Sequence, residues 1–159
     1  MRTASREDLE FISQCIIDIS LFLKSNASDI YIDGLPTSID DNTISIASEY
    51  IQKDDAIALI AEIEGKPAGC LLGRIETTSF PASGLGKVGH ISICWVSQKF
   101  RNHNMGSQLV REAENWFSAN SVKTVELSYM AKNALAEKVW GRLGYEPFRI
   151  FAHKVLRNV

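Results

Sequence analysis

One stretch constrains the fold of this chain more than any other. Residues 88–117 read as a strand, a tight turn and an amphipathic helix. The strand is Val88-Gly89-His90-Ile91-Ser92-Ile93-Cys94-Trp95-Val96. Simple alternation puts Ile91, Ile93 and Trp95 on one face and His90, Ser92, Cys94 and Val96 on the other. The helix aligns Met105, Leu109, Ala113, Trp116 and Phe117 along one stripe, with Gln108, Arg111, Glu112 and Asn115 outside it. Between them lies Phe100-Arg101-Asn102-His103-Asn104-Met105-Gly106-Ser107. A turn rich in Asn and Gly just before a helix exposes several backbone N–H groups together. The positive end of the helix dipole adds to them, which makes a cradle for a phosphate. The plainer reading is an ordinary strand–turn–helix whose Asn and Gly only permit unusual backbone angles. The turn has neither the G-x-G-x-x-G fingerprint nor the Gly-Lys-Ser/Thr ending of a P-loop. Taken alone, the segment leaves both readings open.

At 159 residues the chain has room for one domain, 1–159, with a sizeable core. A net charge of −2 gives no basic field for nucleic acid. No run approaches the roughly 20 apolar residues that span a bilayer. Met1-Arg2-Thr3-Ala4-Ser5 enters a polar helix start without the look of a signal peptide. Cys15, Cys70 and Cys94 are odd in number, far apart and set among apolar residues, so neither a disulfide framework nor a metal site is expected. Small buried thiols suit a reducing compartment, and a cytoplasmic address is expected.

The other segments follow the same logic. Ser5 and Asp8 resemble a capping box, after which Leu9, Ile12, Ile16, Ile19 and Leu23 recur at helical spacing. A polar, irregular stretch over 25–43 precedes a short helix over 42–52. Residues 56–63 and 68–75 read as strands joined by a turn at Glu64-Gly65-Lys66-Pro67. After the loop at 77–87 and the central unit comes a strand over 122–129. Asn133 then opens a helix carrying Leu135, Ala136, Val139, Trp140 and Leu143, and Gly144 suits its C-terminal cap. Alternation over 148–156 predicts a last strand. The order implies a mixed sheet covered by helices.

Two segments together resemble the GNAT superfamily of N-acetyltransferases. Arg101 to Ser107 is similar to that family's acyl-CoA loop, Arg/Gln-x-x-Gly-x-Gly/Ala. Asn133-x-x-Ala136-x-x-Val139-Trp140-x-Arg142-x-Gly144-Tyr145 is similar to its second signature, Asn-x-x-Ala-x-x-Phe-Tyr-x-Lys/Arg-x-Gly-Phe. The resemblance implies an α/β chain whose central mixed, mostly antiparallel sheet holds a splayed parallel pair, 88–96 and 122–129, flanked by about four helices. It implies acetyl-CoA as co-substrate and no metal. The pantetheine arm would pair with backbone at Cys94, Trp95 and Val96. The pyrophosphate would sit on Arg101, Asn102, His103, Asn104, Met105, Gly106 and Ser107, with charge from Arg101 and Arg111. Asn133 would bond the arm from the opposite wall, with Trp140 among the contacts. As a helix N-cap, Asn133 is able to serve both purposes.

The chain departs from the family pattern at two places. Asn104 replaces a Gly, and Asn tolerates positive φ better than other side chains. Trp140 replaces the Tyr thought to protonate the departing thiolate, and an indole is no acid near neutral pH. Tyr129 is the expected substitute, while Tyr145 packs. His90 stands where many relatives have a Glu, and is the expected base that deprotonates an amine. Cys94 as a nucleophile fits less well than direct transfer. Over residues 28–55, Asp29, Asp33, Asp40, Asp41, Glu49, Asp54 and Asp55 face one base, Lys53. Such a field concentrates a cationic small-molecule or peptide amine, or serves as a solvated surface. Two rivals remain: a non-catalytic acyl-CoA-binding sensor, and a mononucleotide or phosphate binder unrelated to CoA. Neither nucleic acid nor membrane is an expected partner, and a homodimer is compatible with the resemblance.

Overall fold

The computed structural model describes residues 1–131 and 133–156. The chain folds as two compact units, Met1–Leu127 and Ser128–Val159. The first holds a five-stranded sheet in simple sequence order: β1 (Arg2–Thr3), β2 (Ala56–Ile63), β3 (Lys66–Thr77), β4 (Lys87–Val96) and β5 (Val125–Leu127). The first three joins are antiparallel, and β4–β5 is parallel. Around the sheet lie α1 (Leu9–Asn26), the one-turn α2 (Ile30–Asp33), α3 (Asp41–Gln52) and α4 (Met105–Ala119). The second unit contributes α5 (Ala134–Arg142). This is the mixed, mostly antiparallel sheet with a parallel pair that the resemblance implies. Among the described residues no helix is long and apolar enough to cross a membrane.

Local chemistry sets the element boundaries. Ser5 and Asp8 form the expected capping box at the turn that leads into α1. Asp40 and Thr43 make a second box at α3. Glu64 and Gly65 both take positive φ, 50° and 73°, as a two-residue hairpin turn between β2 and β3 requires. The short β1 escapes periodicity altogether. Arg2 holds it in place by a double hydrogen bond to Asp8, at 2.7 and 2.8 Å, and a third bond to Glu62. That guanidinium holds the Asp8 carboxyl below the usual carboxylate range.

Each face of the sheet has its own layer. On one, Ile12, Cys15, Ala47 and Tyr50 from α1 and α3 pack against Ala58, Ile60, Cys70 and Leu72, joined by Ile93 and Trp95. On the other lie the buried Leu109, Val110, Ala113 and Phe117 of α4. Phe117 lies flat because two strand residues beneath it lack side chains. A Cβ on Gly89 would meet its ring at 2.6 Å, and one on Gly73 would meet it at 3.0 Å.

The face assignment made by simple alternation along β4 is corrected here. Leu72 pairs with Ile93 but Gly73 pairs with Ile91, so Ser92 is an extra residue in a β-bulge. His90 is partnered by Arg74, Ile93 by Leu72 and Trp95 by Cys70, positions that alternate on one face of β3. His90 therefore shares the α1/α3 face with Ile93 and Trp95. Ile91, Cys94 and Val96 lie on the α4 face. A bulge shifts the period-2 count by one, and nothing in the alternation announces it.

Two strand expectations also change. The strand expected over 122–129 forms only over Val125–Leu127. Its register partners in β4 are Gly89, His90 and Ile91, and pairing stops there. Residues 148–156 form no strand. Alternation supplies a face but not a hydrogen-bonding partner, and Ile150 and Phe151 are more than four-fifths exposed. In the second unit, Asn133 caps α5 through a 3.0 Å bond from the Ala136 amide, and Gly144 follows its end at φ 89°.

Gly89→Ala should destabilise the fold by about 2 kcal/mol, since a fully buried ring cannot yield to a methyl group at that distance. Urea unfolding with an unchanged m-value would measure it.

Candidate active site

The geometry around β4 comes from where its neighbour stops. Through Ile91 the strand is held on both sides, by β3 and by β5. From Ser92 to Val96 only β3 pairs with it among the described residues. The outer backbone edge at Cys94 and Trp95 is thus left without a partner strand, as the expected splay requires. One group on that stretch is engaged, because the Val96 carbonyl accepts 3.1 Å from Arg101 Nε. The same guanidinium lies 4.6 Å from the Trp95 ring. Arg101 is therefore folded back onto the end of β4.

The turn takes the conformation its Asn residues permit. Asn102 and Asn104 have φ of 66° and 61°, and Asn104 is the N-cap of α4 without a side-chain capping bond. The amides of Met105, Gly106 and Ser107 open the helix, where no earlier carbonyl is in position to accept from them. His103 Nδ1 donates to the Arg101 carbonyl at 2.9 Å, which folds the ring against its own turn. A Cβ on Gly106 would meet nothing nearer than Val96 Cγ2 at 4.0 Å, so this bare position is open from the protein side. Arg111 is exposed further along α4.

A polar cluster occupies the α1/α3 face where β5 ends. His90 Nδ1 lies 2.6 Å from Glu76 Oε1. Tyr50 donates its hydroxyl to Ser92 Oγ at 2.7 Å and accepts from Arg74 Nε at 3.0 Å. The Arg74 guanidinium also lies 4.2 Å from the Tyr50 ring. Glu126, the register partner of His90 on β5, accepts from Thr78 Oγ1 and from the Ser79 amide at 3.1 Å. Burial pushes the Glu126 carboxyl up, but those hydrogen bonds outweigh it and hold it below the usual carboxylate range.

Of the residues expected at the site, His90, Cys94, Trp95, Val96 and Arg101 to Ser107 are on one strand, the turn that follows it and the first residues of α4. Tyr129, Asn133 and Trp140 belong to the second unit. Asn133 is a helix cap there, and Trp140 meets Tyr145 edge to face at 5.3 Å. Sequence reasoning missed Tyr50, Arg74, Glu76 and Glu126. The available signal was Arg74-x-Glu76, alternate charged residues at the end of an otherwise apolar strand. Cys94 faces α4, and burial pushes the thiol up to about 12.

Residues 25–145 match the acetyltransferase (GNAT) family, and the chain belongs to it. No curated protein matches in sequence. The fold is similar to that of solved structures at low identity. A tetramutant of the BH1408 protein from Bacillus halodurans is 16% identical with a TM-score of 0.83, covering 98% of each chain. The aminoglycoside antibiotic 6'-N-acetyltransferase AAC(6')-IG from Acinetobacter haemolyticus is 14% identical with a TM-score of 0.75, covering 99% of this chain and 97% of that one. The enzyme AAC(6')-Iy, in complex with the bisubstrate analogue CoA-S-monomethyl-acetylneamine, is 19% identical with a TM-score of 0.73 and the same coverage.

Cys94 should be slow to alkylate. At pH 7.5, iodoacetamide should modify it at least ~10²-fold more slowly than a free thiol, as read by mass spectrometry of the folded protein.

Proposed function

We propose that residues 1–159 work as one domain that transfers an acetyl group from acetyl-CoA to a primary amine by direct attack. The observation that carries this reading is the geometry of β4. Beyond Ile91 its outer edge has no partner strand among the described residues and leads toward the open amides of α4, and His90 stands on β4 one pair before β5 ends.

Acetyl-CoA supplies an activated thioester. In this reading its phosphates rest on the amides of the 101–107 turn, and its arm follows the edge at Cys94 and Trp95. Gly106 fits that role, since its bare face leaves room for an oxygen to reach the backbone. An amine arrives mostly as ammonium, which is no nucleophile, and His90 takes its proton directly or through water. The amine nitrogen then bonds to the thioester carbon, the C–S bond breaks with CoA leaving as thiolate, and the proton the nitrogen still has to lose passes to that sulfur or to water, leaving the neutral amide. A thiol of pKa near ~8.5 needs little help to leave. This softens the loss of the usual phenol at Trp140, and Tyr129 is the candidate donor for what help remains. A backbone amide near Val96 is the candidate for stabilising the oxyanion.

A cationic acceptor fits the acidic excess over residues 28–55. Part of that charge also does structural duty: Asp29 and Asp40 cap α2 and α3, and Glu49 pairs with Lys53 at 2.9 Å. Similarity to aminoglycoside acetyltransferases points to the same class, since aminoglycosides are polyamines.

The runner-up is a non-catalytic acyl-CoA sensor. It is favoured by Trp140, whose indole packs on Tyr145 and is no acid near neutral pH.

Melting-temperature titrations separate these readings. Acetyl-CoA should raise Tm with the logarithm of its concentration above Kd, worth about 2.7 kcal/mol at 100 Kd, while ATP and NAD should not. A shift with ATP or NAD alone would indicate an unrelated phosphate binder. Gly106→Val should fold normally and lose the acetyl-CoA shift, because the added side chain obstructs the amides. With an accepted amine, His90→Ala should lower kcat by ~10²-fold or more at unchanged acetyl-CoA affinity. Binding without thiol release from any amine would favour the sensor.

A further inference from the structure

We propose that Glu76 is the positioning residue that fixes the tautomer of His90, leaving Nε2 bare as the nitrogen that accepts the proton. The inference rests on the reading of His90 as the base.

The argument begins with strand register. His90 faces Arg74 directly across β3–β4, and Glu76 lies one pair further along the same face. Diagonal neighbours on a sheet are within reach of long side chains. Glu76 uses that reach, placing Oε1 2.6 Å from Nδ1. An ionised carboxylate only accepts, so the hydrogen in this bond sits on Nδ1. In a neutral imidazole the other nitrogen, Nε2, then carries the lone pair.

The other polar groups on this face are committed elsewhere. Arg74 is held by the Tyr50 hydroxyl and ring. Ser92 accepts from Tyr50. Glu126, across on β5, is held by Thr78 and Ser79 and reaches His90 only as a nearby charge. Glu76 alone among them touches the ring. The two side chains are 31% and 39% exposed, so a substrate or a water has access to the pair. The arrangement does what the supporting carboxylate of a metal-bound or catalytic histidine does: it sets which nitrogen is free and which way the ring points.

Long-range proton–nitrogen NMR correlations on histidine-labelled protein test this directly. In the neutral form, His90 should show its hydrogen on Nδ1. Glu76→Leu should move it mainly to Nε2, and Glu76→Gln should keep it on Nδ1, because the amide oxygen still accepts. With spermidine or kanamycin as the amine probe, Glu76→Leu should lower kcat at least ~10-fold with KM changed less than ~2-fold, and Glu76→Gln should recover most of that loss. An Nε2–H tautomer in the parent protein, or an Nδ1–H tautomer surviving in Glu76→Leu, overturns the proposal. A tautomer that follows Glu76 while kcat does not also overturns the positioning role, provided His90→Ala loses rate. If His90→Ala keeps its rate, the reading of His90 as base has failed instead.

Discussion

The bulge at Ser92 is the constraint on which the rest of this site depends. One extra residue in β4 turns His90 onto the same face as Ile93 and Trp95, and so onto the side of α1 and α3. It also gives Tyr50 a hydroxyl to bond, which draws Arg74 into the cluster. Without the insertion, strict alternation would set the ring of His90 opposite Ile93 and Trp95, and one of the two would leave its layer. Bulges bend and twist the strand that carries them. Here the bend falls one residue beyond the last pair with β5, so the end of pairing and the change of direction coincide.

Much of the fold was legible because it is written in local terms. Capping residues such as Ser5, Asp8 and Asn133 mark helix starts with their own side chains. The Glu64-Gly65 turn declares itself through the backbone angles it needs. The stripe on α4 was readable for the same reason, down to Trp116 and Phe117, which meet edge to face. What escaped was set by partners distant in sequence. The two-residue β1 is held where Arg2 finds Asp8 and Glu62, and β5 is short because its pairing with β4 ends at Ile91. The alternation at 148–156 showed the converse, a pattern suited to a strand with no strand beside it.

The candidate site divides along the same line. His90 and the 101–107 turn could be named from the sequence because each has a characteristic residue at a characteristic spacing. Glu76, Arg74 and Glu126 could not, since their meaning lies in cross-strand register, and neither could Tyr50, whose meaning lies in how α3 packs on the sheet. Family membership, drawn from residues 25–145, fixes the architecture. It does not fix the polar cluster around His90, which strand register and the packing of α3 assemble.

The flat seat of Phe117 has a consequence that reaches beyond packing. It lies twelve residues after Met105, about 18 Å along α4 at 1.5 Å per residue. The helix is therefore a lever pivoting on a ring at one end, with its unpaired amides at the other. A tilt of about 5° at the pivot sweeps the far end through roughly 1.6 Å over such a length. Misplacement on the order of 1 Å is enough to cost a large factor in rate. The two glycines beneath the ring thus bear on the aim of the helix as well as on its stability.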